Sequence, residues 1–129
     1  MVVVTKLDEW SHLLGPSDES EPWKTRGSVN AVDGEKIDRV SSSVRDILLK
    51  YCAETVTAAE SFAKEVVYIP VSSLGGQVEL DLQSGLPGIR PNAIRPRWVV
   101  VPILYAISRV LPALVPRVIR RSKHGGAVA

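Results

Sequence analysis

Val2-Val3-Val4-Thr5-Lys6-Leu7-Asp8 and Val66-Val67-Tyr68-Ile69-Pro70-Val71-Ser72-Ser73-Leu74 are the two stretches whose reading decides the fold. Each opens on an apolar, largely β-branched run without polar alternation and then stops abruptly in small or charged residues. Such short runs predict strands buried on both faces, as in a parallel sheet, because a buried helix would need more length. Pro70 falls near the end of the second strand, where a missing N–H matters least.

Working outward, Trp10 to Gly34 is polar and turn-rich, with Gly15-Pro16-Ser17-Asp18, Glu21-Pro22 and Asp33-Gly34. It reads as an acidic surface insertion at about residues 10–34, the least ordered part of the body. Ile37, Val40, Val44, Ile47, Leu48 and Tyr51 then recur at spacings of three and four, which predicts an amphipathic helix from about Glu35 to Tyr51. A second helical stretch, with Val56, Ala59, Phe62 and Ala63 inward, is expected to run to Lys64. After Ser72-Ser73-Leu74-Gly75-Gly76 a Gly- and Pro-rich connection continues through Pro96. Trp98 to Val115 reads as the last helix, with Pro102 at a first helical position and Ile103, Ile107, Val110, Leu111 and Leu114 on one face. Pro112 should kink or end it. Strand, helix, strand, helix predicts an α/β chain carrying a partial doubly wound parallel sheet. Two strands are too few for a whole open sheet, so the expectation is that others are missing, shared with a partner or supplied by another chain.

Composition narrows the function classes. A chain of 129 residues, 45% hydrophobic and 23% charged, fits one globular unit and excludes wholesale disorder. The lone Cys52 cannot form an intramolecular disulfide, and with only two His a zinc site is excluded. Cys52 reads as a small core residue rather than a nucleophile. A reducing cytoplasm is the expected compartment, since the apolar residues after Met1 stop at Val4 and no signal peptide can be read. His12 and His124 have no paired nucleophile. Residues 1–81 hold all 14 acids and carry a balance of −6, whereas residues 82–129 hold eight basic residues and no acid. A basic C-terminal element docked on an acidic body is the first expectation, and contact with acidic lipid headgroups is the alternative. Nucleic acid is disfavoured, because aromatics among the basic residues are scarce. The expected organisation is a body of residues 1–116 and a basic flexible tail at 117–129.

In a doubly wound sheet ligands bind beyond the C-terminal ends of the strands, so Thr5-Lys6-Leu7-Asp8 and Ser72-Ser73-Leu74 are the residues to inspect. Taken singly they are weak signals. A solvated Lys with an Asp capping a helix explains the first, and a serine turn explains the second. Together, in this order and each after a strand, they match the [N/T]KxD base-recognition motif and the Ser-Ala-Lys-type loop of GTPases. The chain resembles P-loop GTPases of the TRAFAC class over about residues 1–115, and in particular bacterial GTPase-like domains in which a PVSSLG strand end is followed by an RPRWVVVPILYA-like segment.

The resemblance implies a guanine nucleotide, GTP or GDP, as ligand. Asp8 would accept hydrogen bonds from guanine N1–H and the N2 amino group, which adenine cannot supply. Lys6 would lay its methylene stem along the base, and Thr5, standing where Asn is commoner, would tie the loop to nearby backbone. The backbone N–H of Ser73 would reach O6, Ser72 would brace the turn, and Leu74, in place of the usual Lys, would pack the base without charge. The departures are equally informative: no GxxxxGK[ST] stands anywhere in the chain, so a phosphate cradle and a Mg²⁺ site would belong to a missing N-terminal half. The chain is therefore expected to represent the guanine-recognition half of a truncated or degenerate GTPase domain, binding nucleotide weakly at most and not hydrolysing it. Two other readings stay open: a nucleotide-free structural remnant, and a peripheral membrane binder using the C-terminal helix with Arg117, Arg120, Arg121 and Lys123.

Overall fold

In the computed structural model, which describes residues 1–76 and 78–118, the two apolar runs pair with each other. β1 (Val2–Val4) and β4 (Tyr68–Pro70) are parallel, with Val2 opposite Tyr68, Val3 opposite Ile69 and Val4 opposite Pro70. The ladder is extended by Val2 N donating to Val67 O at 2.8 Å and by Val71 N donating to Val4 O at 2.8 Å. The protein is thus a mixed α/β chain built round a two-stranded parallel sheet. β4 is buried throughout, as its sequence predicts. β1 is not: α2 packs against β4, whereas Val3 of β1 stays 43% exposed.

The segment expected as a loose acidic insertion holds more structure than its composition suggests. α1 (Leu7–Trp10) runs into a 3-10 turn at Ser11–Leu13, and a hairpin follows, formed by β2 (Trp23–Arg26) and β3 (Val29–Val32). Gly27 and Ser28 make its two-residue turn, with Gly27 at φ +64° in the first position, as the tight hairpin turns require. Leu14, Asp18, Pro22 and Val32 are buried. The acids of this stretch act as anchors: Asp18 accepts hydrogen bonds from Arg39 Nε at 3.4 Å and Ser43 Oγ at 3.3 Å, fixing the loop to the next helix.

α2 (Gly34–Tyr51) matches its predicted span within a residue and buries Ile37, Val40, Val44 and Leu48 against β4. Buried Ser41 accepts a hydrogen bond from Tyr68 N at 2.9 Å, so helix and strand are joined by a polar contact as well. Tyr51, expected inward, is exposed at the helix end. α3 (Ala53–Phe62) turns Val56 inward but stops short of Lys64; Phe62 is 90% exposed and Ala63 is already extended, so neither packs as expected. Cys52 lies in the non-helical break between the two helices and is exposed, which corrects its reading as a core residue. The helix pair is fastened by Arg45, which donates to both Glu60 oxygens, and Tyr68 Oη donates to Glu60 at 3.2 Å.

The start of α2 carries a titration prediction. The Asp33 side chain caps the helix by accepting from Lys36 N at 3.2 Å and pairs with Lys24 Nζ at 2.8 Å. Burial pushes its pKa up, but these two partners outweigh burial and hold it below the usual 3.8. A depressed carboxylate contributes stability above its unfolded-state pKa and loses it as pH falls through the folded-state value. Asp33→Ala should therefore cost about 1 kcal/mol at neutral pH, with the gap from the native chain closing as the pH drops below 3.8. Urea unfolding across that range measures it; a gap that does not change with pH would contradict the capping role.

After β4 the chain makes a short hairpin of β5 (Glu79–Leu80) and β6 (Pro87–Gly88), a 3-10 turn at Pro91–Ala93, and an antiparallel bridge between Arg97 and Ser72. α4 (Val101–Val110) is shorter than the predicted 98–115 and has Pro102 in its first turn, as expected. Its buried face differs from the prediction: Ile107 packs against the core as expected, but Val101, Pro102 and Ser108 are buried, while Ile103, Val110, Leu111 and Leu114 are exposed. The helix is oriented by Trp98 at one end and by a contact between Arg117 and Ser108 at the other, and these outweigh its aliphatic periodicity. Docking of basic residues on acidic ones does occur, through Arg97 with Glu19 at 3.5 Å and Arg109 with Glu65 at 3.0 Å. Arg117 and Val118, expected to open the flexible tail, instead flank Val32: Val32 N donates to Pro116 O at 2.8 Å and Val118 N to Val32 O at 3.1 Å. The rest of the expected tail, residues 119–129, lies outside the described residues. Among the described residues no helix is long and apolar enough to cross a membrane.

Candidate functional site

Because β1 and β4 are parallel, both chains leave the sheet at the same end, and the two candidate loops meet there. Leu7 is fully buried and its N–H donates to Val71 O at 3.0 Å, so the first loop is fixed to the end of the second strand. Reaching that position requires Lys6 to adopt a left-handed conformation, φ +57°. Trp10 Nε1 closes the loop from outside by donating to Thr5 O at 2.9 Å.

Asp8 sits in the first turn of α1 and is half-buried; the N-cap position belongs to Lys6, so the simple capping explanation of Asp8 does not apply. Its partner is Ser72, 64 residues away, whose hydroxyl donates to Asp8 Oδ1. The same hydroxyl accepts from Gly75 N at 2.8 Å. A serine hydroxyl has one proton and two lone pairs, so giving its proton to Asp8 leaves it an acceptor for Gly75. The chain Gly75 N–H, Ser72 hydroxyl, Asp8 carboxylate therefore fixes Asp8 as an acceptor and joins the two loops. Asp8 Oδ2 accepts no hydrogen bond from the described residues, and the N–H of Ser73 donates none to them.

The second loop is shaped by what lies behind it. Ser72 exchanges both backbone hydrogen bonds with Arg97, at 2.9 and 2.8 Å, and Arg95 N donates to Leu74 O at 2.7 Å. Gly75 takes φ +63° and its α-carbon faces the Arg95 carbonyl so closely that an added Cβ would fall 1.5 Å from that oxygen. Ser72 is buried in this arrangement, whereas Ser73 and Leu74 face outward.

A cleft of about 470 Å³ opens over the strand ends. Thr5, Lys6, Asp8, Ser73 and Leu74, five of the six residues singled out from sequence, line it, and Ser72 braces it from beneath. Its far wall is apolar, made of Val78, Ile89, Val99 and Pro102. Val99 and Pro102 fall in the RPRWVVVPILYA-like segment, whereas Val78 and Ile89 belong to no quoted motif; the topology brings all four over the strand ends. Lys6 is paired with Glu9 at 3.1 Å, but both side chains are well exposed, so this ion pair is weak and leaves Lys6 free to lie over a ligand.

The cleft's acids do not fit a Mg²⁺ site. Asp8 is tied to Ser72 and Glu9 to Lys6, and among the described residues no group of three or more His, Cys, Asp or Glu is placed to hold a metal. What the arrangement can do chemically is accept two adjacent hydrogen bonds at Asp8, donate one from Ser73 and cover a flat ring with Leu74 and the Lys6 stem. No known protein family, curated protein or solved structure matches this chain.

Proposed function

We propose that the cleft is a guanine-base recognition surface within a GTPase-like fold, the parallel pair forming part of a doubly wound sheet to which further strands add at the exposed β1 edge. The observation that carries this reading is the Gly75–Ser72–Asp8 hydrogen-bond chain, which holds a carboxylate and the unengaged Ser73 N–H on one cleft at two parallel strand ends. Guanine presents N1–H and the N2 amino group side by side, complementary to Asp8, and O6 to accept from Ser73. Adenine would put a lone pair against the carboxylate, and a buried polar group left unpaired costs roughly 1–3 kcal/mol, more when charged.

Phosphoryl transfer depends on positioning and electrostatic stabilisation of the phosphates, and among the described residues neither a metal cluster nor a glycine-rich phosphate cradle stands beside the cleft. Base contacts alone must offset the ligand's lost translational and rotational freedom, so affinity in the millimolar range is expected, without turnover. Calorimetric titration of GTP, GDP and ATP into the purified chain, with a phosphate-release assay beside it, tests this. Weak binding of GTP and GDP that exceeds ATP by roughly tenfold is the expected result. Equal binding of ATP and GTP would remove the guanine reading and leave the chain as a nucleotide-free interaction or structural piece.

A further inference from the structure

We infer that the ligand this cleft selects is an uncharged guanine compound, the free base or its nucleoside, in preference to the phosphorylated nucleotides. The preference rests on the guanine reading of the cleft, and the charges around the base decide it. Among the described residues three charged side chains line the cleft, the ammonium of Lys6 against the carboxylates of Asp8 and Glu9. Lys6 is already paired with Glu9 at 3.1 Å. The carboxylate of Asp8 carries the remaining charge, because the Ser72 hydroxyl gives it a hydrogen bond but no positive charge. Guanine meets that carboxylate with neutral N–H groups and needs no counter-charge. A phosphate tethered to the same base would bring one or more negative charges towards two carboxylates, and such repulsion is only partly screened by salt.

The far side of the cleft gives a phosphate nothing in return. Val78, Ile89, Val99 and Pro102 are apolar, so they fit the face of a ring or a ribose and would desolvate an anion without pairing it. Arg90 and Arg95 stand near this wall in sequence, but neither lines the cleft. Arg90 pairs with Glu79 at 3.2 Å, and Arg95 donates to the carbonyls of Asn92 and Ile94 at 2.9 and 3.0 Å. The start of α4 is the other feature able to attract an anion, through the free N–H groups of a helix N-terminus. It is poorly equipped for that: Pro102 in its first turn has no N–H, and Val101 N donates to Trp98 O at 3.1 Å. The volume of about 470 Å³ is in the range that small ring compounds occupy.

The test is an amide NMR titration of the full chain, in low-salt buffer without Mg²⁺, with guanosine, GMP and GTP, and with adenosine as the control. Relative affinities are read from the concentration dependence of the Thr5 to Asp8 and Ser73 amides. Guanosine should bind more tightly than GMP, and GMP more tightly than GTP, by roughly twofold or more at each step. The differences should shrink at about 0.5 M salt, where charges are screened over a few ångströms. Glu9→Gln removes one of the two carboxylates at an exposed position and should raise the affinity for GTP relative to guanosine by roughly threefold or more. GMP or GTP binding as tightly as guanosine would overturn the inference and leave the guanine reading in place, provided adenosine still lags; an unchanged GTP-to-guanosine ratio in Glu9→Gln would overturn it too. Adenosine binding as well as guanosine, or no shift with either, would instead remove the guanine reading itself and the inference with it.

Discussion

Gly75→Ala is expected to remove roughly 3 kcal/mol or more of folding stability, and with it the geometry of the cleft. Two costs coincide at this residue. The backbone is left-handed, φ +63°, which an alanine resists, and the new Cβ would stand 1.5 Å from the Arg95 carbonyl oxygen. That neighbour is backbone and cannot swing aside, so the loop must move. Moving it would break the Gly75 N–H bond to Ser72 and release the hydroxyl that orients Asp8. Gly27 provides the comparison: its φ is +64°, but nothing lies within 4 Å of an added Cβ. Gly27→Ala should therefore cost only about 1 kcal/mol. Thermal unfolding of the two variants measures the difference, which for a chain of this size should separate their midpoints by about 6 °C or more. Similar midpoints would show that the 72–76 loop does not press on residues 93–95 as described.

Trp98→Ala is expected to be still more damaging, by about 3–5 kcal/mol, a large part of the 5–15 kcal/mol total that single domains possess. Trp98 is fully buried, among the largest side chains in the core, and sits at φ +59° between the Ser72–Arg97 bridge and α4. Its backbone N–H donates to Glu21 Oε1 at 2.6 Å, so one residue of the acidic segment sets where α4 begins. Removing the ring empties the space that holds α4 against the sheet, and Val99 and Pro102 would leave the wall of the cleft. Glu21→Gln keeps an acceptor for the Trp98 N–H and should be mild, whereas Glu21→Ala orphans that donor and should cost about 1–3 kcal/mol. Urea denaturation of the three variants gives the order; a harmless Trp98→Ala would contradict the placement of this side chain in the core.

These two residues also mark where sequence reasoning stops. The β-branched runs at Val2–Val4 and 66–71 are legible because burial on both faces removes polar alternation, and their pairing as neighbours follows from the helices between them. α2 is legible because its apolar residues repeat at helical spacing over 18 residues. The hairpin at 23–32 is not, since its alternation is short and its neighbours are polar; the Gly27-Ser28 pair was the available signal. α4 is misleading for a different reason. Of its predicted apolar face only Ile107 packs inward, because Trp98, Glu21, Arg117 and Ser108 orient the helix through contacts between distant parts of the chain. The candidate loops could be read from strand context, but the bond between Asp8 and Ser72 could not, because only the parallel register brings residues 64 apart in sequence together.

Whether Asp8 and Ser73 face one guanine base is tested most directly by amide NMR spectra of the isotope-labelled chain titrated with GDP and, in parallel, with ADP. GDP should shift the amides of Thr5 to Asp8 and of Ser73 and Leu74 in a saturable way, with an affinity in the millimolar range, while ADP at the same concentrations leaves them in place. Equal shifts with both nucleotides, or shifts confined to residues away from the strand-end cleft, would contradict the account.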